Sequence, residues 1–230
     1  MSSTAERGTE RRAPLTRARV LETAVDLADT AGIEALTIRR LAERLGVEPM
    51  SIYYHVPNKE AILDGTIEVV FTEIEEAVGG FTVPETNSGW KASLRGRILA
   101  ARIVMLRHPW APGVLDSRTD LGLTAVRYVD SVVGTLRSGE LSYDLIHHAM
   151  HALGSRMFGF SQELGEPDDD SADPAAMEQM AEHVPHLAAM LSVVRHVDPD
   201  STLGWCDDQF EFEFGLDIIL DGLERLTRKA

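Results

Sequence analysis

The sequence predicts an all-α protein: a small N-terminal bundle of three to four helices containing a helix-turn-helix, followed by a larger helical domain. Three observations carry this. Apolar residues recur at i, i+3, i+4 and i+7 along most of the chain. Alternating strand-like runs are almost absent. Within the first eighty residues, polar capping residues and glycines bracket each apolar-periodic stretch.

The first helix starts after Thr16, a residue type suited to the N-cap. It carries Leu21, Ala24, Val25 and Ala28 on one face and stops at Gly32. Thr37 caps a second, shorter helix with the stripe Ile38, Leu41, Ala42 and Leu45, and Gly46 ends it. A third helix begins near Pro49, a favourable first-turn residue, and cannot run past Pro57. Asn58 caps a fourth helix that buries Ile62, Leu63, Ile67, Val70 and Ile74 before Gly79 and Gly80. The break GGFTVPETNSG follows at 79–89. Beyond it helices are expected at about 88–107, 117–138, 141–163, 174–195 and 202–228, with a break near Pro185 and an acidic loop at 165–174. The domains expected are an arm at 1–13, a helical head at 14–75 with its helix-turn-helix at about 37–56, and a second domain at 76–230.

Composition narrows the function. The chain has 230 residues and a formal net charge of −15. Residues 1–64 hold nine basic side chains against ten acidic, and residues 65–230 hold thirteen against twenty-seven. The acidity therefore belongs to the second part, and a near-neutral head can meet DNA if the acidic surface points away. Arg11, Arg12 and Arg17 read either as a DNA-binding arm or as a solvated tail. The single cysteine, Cys206, excludes an internal disulfide and a cysteine-based zinc site. No apolar run nears the roughly 20 residues that span a bilayer, and the polar N-terminus has no signal-peptide core. A cytoplasmic protein without membrane partners is expected. GxSxG, phosphate-cradling glycine loops and zinc-deaminase patterns are absent from the sequence, so no enzyme and no cofactor are expected.

The decisive stretch is GVEPMSIYYHVPNKEAILD, residues 46–64. A capped amphipathic helix, a short turn through glycine and a second short helix make the helix-turn-helix pattern. Val47 and Ile52 seat the second helix, leaving Glu48, Pro49, Met50, Ser51, Tyr53, Tyr54 and His55 largely outward. In that geometry the second helix enters a major groove, where the polar tips of Tyr53, Tyr54 and His55 reach phosphates or base edges. The competing reading has the tyrosine rings closing the small bundle.

The segment LTIRRLAERLGVEPMSIYYHVPNKEAILD resembles the DNA-binding domain of the TetR family of bacterial transcription regulators. Its T-x-R-x-L-A-x-x-L-G-V and S-x-Y-x-H-V-x-N-K-x-x-L elements come in that family's order. The resemblance implies phosphate contacts from Thr37, Arg39, Tyr53 and Lys59. It places Pro49, Met50, Ser51, Tyr54 and His55 in or beside the groove. The remainder resembles the family's ligand-binding and dimerisation domain through RHPWAPGVL (107–115) and GELSYDLIHHAMHALGSRMFGF (139–160).

The resemblance implies a homodimeric regulator that reads a palindromic, double-stranded DNA operator. Repression is expected, with release when a small, largely apolar effector binds the second domain. The alternative is a sequestering or resistance protein with a vestigial DNA-binding head. The candidate pocket lining is Met105, His108, Trp110, Leu115, Met150, Phe158 and Trp205, with His147 and His151 as polar lining. His147 and His151 also stand at metal-ligand spacing, but no third ligand is identifiable and no metal is expected. Apolar residues run down two sides of the last helix, so one side serves the subunit core and the other a partner. The expected interface residues are Leu145, Ala149, Ala152, Phe212, Leu216, Ile219, Leu220 and Leu223.

Overall fold

The computed structural model describes residues 14–85, 87, 89–118, 120–158, 183–193 and 208–227. They form α1 (Arg17–Ala31), α2 (Ile38–Leu45), α3 (Pro49–Tyr53), α4 (Lys59–Val78), α5 (Trp90–Arg107), α6 (Ala111–Asp116), α7 (Leu123–Ser138), α8 (Tyr143–Phe158), α9 (Pro185–Val193) and α10 (Asp208–Thr227). No strand occurs among the described residues. None of their helices is long and apolar enough to cross a membrane. The chain divides into two compact units, one of residues 1–80 with 99–130 and one of 81–98 with 131–230. The division falls inside α5 and α7.

In the first unit, α1, α2, α3 and the start of α4 close around one apolar cluster that includes Val20, Leu21, Leu41, Ile52, Val56 and Ile62. The expected caps are all in place. Thr16 accepts from the Arg19 N–H at 3.2 Å, Thr37 from Arg40 at 3.3 Å, and Asn58 from Ala61 at 2.8 Å. Each satisfies one of the amide donors that a helix start leaves open. Gly46 takes a left-handed conformation (φ 68°), so α2 ends there, and the Val47 N–H returns to the Ala42 carbonyl at 3.0 Å. The turn into α3 follows directly.

Two boundaries differ from the sequence reading. The link after α5 contains a short helix, α6, with a proline in its first turn, where proline's fixed φ favours helix and its missing N–H costs nothing. Helix α7 starts at Leu123 rather than near 117, because Ser117 and the DLG stretch at 120–122 are turn-forming. The arm at 1–13, the acidic loop at 165–174, Phe160, Trp205 and the expected helical residues 174–182 and 202–207 lie outside the described residues.

In the second unit α8 packs against α10. Arg156 of α8 donates to the Glu211 carbonyl and lies over the Phe212 ring, 5.3 Å from its centroid. Two cations on α5 face four carboxylates on α10. Arg95 bonds Glu213 at 2.6 Å and Asp217 at 2.7 Å, and Lys91 bonds Asp221 and, at 3.4 Å, Glu224. The Lys91 ammonium holds the Asp221 carboxyl below its ordinary range. A bond from Gln209, and then the Arg95 guanidinium, do the same for Glu213.

Most of the residues expected on the partner side of α10 lie in the subunit's own core. Phe212, Leu216 and Leu220 are fully buried within the chain's own core and Leu223 nearly so, with Ile219 half-buried. Ala149 on α8 is buried as well. Side chains already enclosed by their own subunit have no surface left for a partner. The face left in solvent carries Phe210, Phe214 and Ile218, each more than half exposed. On α8, Leu145 is half-buried and Ala152 is exposed.

Candidate nucleic-acid interface

Helix α3 is a five-residue element with a single anchor. Ile52 is fully buried, and Val56 just beyond the helix is buried beside it. Ser51, His55 and Val56 turn their backbone N–H groups inward to the carbonyls of Glu48 and Ile52, at 2.9 Å each. With its backbone satisfied and one side seated, α3 presents its other side to solvent. Tyr54 is 88% exposed, Met50 69% and Tyr53 39%, while Pro49 is exposed and Ser51 and His55 are half-buried. The ring of Tyr54 therefore does not close the bundle, whereas Tyr53 keeps more than half of its surface covered. A tyrosine left as open as Tyr54 loses apolar burial, so its place is not explained by the stability of the head.

The flanking candidates border the same segment. Thr37 opens α2, with its hydroxyl engaged as the cap. Arg39, two residues on, is almost wholly exposed and pairs with Glu43 at 3.2 Å. Such an exposed i, i+4 pair is weak and easily exchanged for a phosphate. Lys59 is the first residue of α4 and is exposed, so its ammonium and the open N–H groups of the helix start present positive charge together.

His108 and Trp110 are buried; the Trp110 indole N–H donates to Asp29, and the His108 ring nitrogens lie against Asp29 and Glu73. Met105 is buried. Leu115 lines a groove of ≈ 190 Å³ with Arg17, Asp64, Glu68, Arg118 and Leu121. The charged walls of that groove are tied to one another, Arg17 to Glu68 at 2.8 Å and Arg118 to Asp64 at 3.2 Å. Met150 is half-buried on α8, and Phe158 is that helix's last residue. His147 and His151 are exposed with ring centroids 4.7 Å apart, and no group of three metal-ligating side chains occurs among the described residues.

The sequence reading missed the acidic partners Asp29 and Glu73. They lie 79 and 35 positions from His108, and no local spacing marks such a meeting.

Comparison with known proteins places this geometry. Residues 20–66 match the family described as bacterial regulatory proteins, tetR family, and residues 83–227 match the tetracyclin repressor-like C-terminal domain. The chain belongs to the TetR family. Like other TetR-family members it is a DNA-binding regulator of transcription. A curated relative, the HTH-type transcriptional repressor DrrR1 of Streptomyces coeruleorubidus, is 32% identical over 222 residues, covering 93% of this chain and 78% of its own. Apo ActR from Streptomyces coelicolor is 26% identical with a TM-score of 0.70, covering 95% of this chain and 99% of that one. The complex of ActR with actinorhodin is 27% identical with a TM-score of 0.67, covering 92% and 97%.

Proposed function

We propose that this TetR-family regulator is a homodimeric repressor that inserts α3 of each subunit into a major groove of a pseudo-palindromic operator. Tyr54, His55, Ser51 and Met50 meet the groove, with Pro49 at its edge. Tyr53, Thr37, Arg39 and Lys59 hold the flanking phosphates. The observation that carries this reading is the one-sided seating of α3, with Ile52 fully buried and Tyr54 almost fully exposed two residues on. The head is the segment 14–75, and the remaining residues to 230 serve effector and partner.

The partner surface is the solvent face of α10, where Phe210, Phe214 and Ile218 form an apolar stripe at i, i+4 and i+8. Two-fold symmetry about it sets half-sites about one helical turn apart, roughly 34–36 Å. A small, largely apolar effector held by the C-terminal domain releases the operator by favouring a geometry with the two recognition helices at another separation. The bound state of ActR supports this, as does the repressor DrrR1. Shifting the protein from mostly bound to mostly released takes a differential affinity of about 5 kcal/mol between the two states.

Purified protein incubated with fragmented host DNA at moderate salt, followed by sequencing of the retained fragments, tests the reading. A shared palindrome is the expected result. Retention of no DNA by a folded dimer in the absence or presence of candidate effectors would overturn it in favour of a sequestering protein.

A further inference from the structure

Glu48 is the residue immediately before α3. Histidine aside, it is the only formally charged side chain from Gly46 to Asn58. It is exposed, as are Pro49 and Met50 beside it. The fold makes no use of its carboxylate. The side chain does not cap α3, because the Ser51 N–H bonds to the Glu48 backbone carbonyl instead, at 2.9 Å. Among the described residues the carboxylate has no hydrogen bond and no ion pair. The next carboxylates along the chain in either direction are both paired, Glu43 with Arg39 and Glu60 with Arg118.

An unpaired carboxylate works against binding on a surface that meets DNA. A duplex carries one negative charge per about 1.7 Å of its axis, so a carboxylate held against it lowers affinity for every sequence. The major groove offers one group that offsets this well. The N4 amino group of cytosine donates to a glutamate, whereas the groove edges of guanine and thymine present acceptors, and adenine sets an acceptor beside its amino group. Recognition helices reach base edges with the residues at their start, which is where Glu48 stands.

We propose that Glu48 is a specificity-determining residue of the operator contact: its carboxylate accepts from the N4 amino group of a cytosine in each half-site and disfavours duplexes that lack it. This rests on the reading of α3 as the helix that enters the groove. Glu48 lowers affinity for DNA in general and gives selectivity in return, since its charge is offset only at the right base pair.

The test uses the duplex retained from fragmented host DNA, a scrambled duplex, and a set in which each half-site base pair is changed in turn on both sides of the palindrome. Affinities of the wild type, Glu48→Ala, Glu48→Gln and Tyr54→Ala are compared by fluorescence anisotropy at fixed salt. The wild type is expected to prefer C·G at one half-site position by about tenfold. Glu48→Ala is expected to bring that ratio close to one, keep the preferences at other positions and bind the scrambled duplex more tightly than wild type. Glu48→Gln, whose amide matches adenine N6 and N7, is expected to move the preference at that position towards A·T. Because the carboxylate holds nothing within the fold, both Glu48 variants are expected to melt with the wild type. Unchanged preferences at every position in Glu48→Ala overturn the proposal. An equal loss at all positions also overturns it, since that marks a structural role. If Tyr54→Ala alters base preference and Glu48→Ala does not, the groove reading of α3 stands and the role of Glu48 is refuted. If neither variant differs from wild type on any duplex, the groove reading itself has failed and takes the role of Glu48 with it.

Discussion

Gly65 of α4 passes directly against Leu21 of α1: a Cβ added at Gly65 would lie 2.4 Å from a Leu21 methyl. Leu21 is 2% exposed and sits in the apolar cluster of the head, so it has nowhere free to move. The close approach is what lets α4 leave α3 and still close over α1.

Gly65→Ala weighs two effects of opposite sign. Alanine favours the helix by about 1 kcal/mol, and overpacking a closed contact costs about 1–3 kcal/mol. The contact wins, with a net destabilisation of about 1 kcal/mol in chemical denaturation. A stabilised variant would mean that the helix pair is less tightly closed than described.

Lys59→Ala and Tyr54→Ala separate positioning from reading. Both residues are exposed, so thermal stability stays within about 0.5 kcal/mol of wild type. Lys59→Ala weakens binding to every duplex and lowers the salt slope by about one. Tyr54→Ala reduces operator affinity by about 1–3 kcal/mol and affects random DNA little. Salt titrations on operator and scrambled duplexes decide this, and equal losses on both for Tyr54→Ala would remove it from base readout.

The α5–α10 ion pairs set an acid limit for the second unit. Glu213 and Asp221 have carboxyls held below their ordinary range, so their contribution is present above the ordinary carboxylate range and is lost as pH falls through the depressed values. Arg95→Met removes part of it. The variant is about 1 kcal/mol less stable than wild type at neutral pH, because solvent screens these partly exposed pairs. The gap closes below about pH 4. Urea denaturation across pH checks it, and a gap that persists in acid would assign the loss to packing.

The two faces of α10 are expected to respond differently. Phe214→Glu places a charge on the solvent face and converts dimer to monomer at micromolar concentration with the subunit still folded. Phe212→Ala cuts a cavity in the subunit core and costs about 3–5 kcal/mol. Sedimentation and denaturation distinguish them. A Phe214→Glu protein that remains dimeric would move the interface elsewhere.

How much was legible depended on how local the signal is. Thr16, Thr37 and Asn58 announce helix starts because a cap is made between residues three apart. Gly46 announces the turn because only its own φ is at issue. The outward set on α3 was readable because a short helix with one apolar anchor has only one way to seat. On α10 the sequence shows two apolar stripes of similar strength. Which one the subunit keeps is decided by where α8 and α5 lie, and Arg95, Lys91 and Arg156 meet α10 from positions more than fifty residues away.

The same division holds for His108. Residue order alone determined an all-helical chain, the capped helix-turn-helix and the family to which they belong, since each rests on periodicity or on spacing of a few residues. Only the tertiary structure decided that His108 bridges Asp29 and Glu73, that Gly65 lies under Leu21 and that Phe212 rather than Phe214 enters the core. Those contacts join residues far apart in sequence. Their geometry comes from how helices cross, which no local pattern encodes.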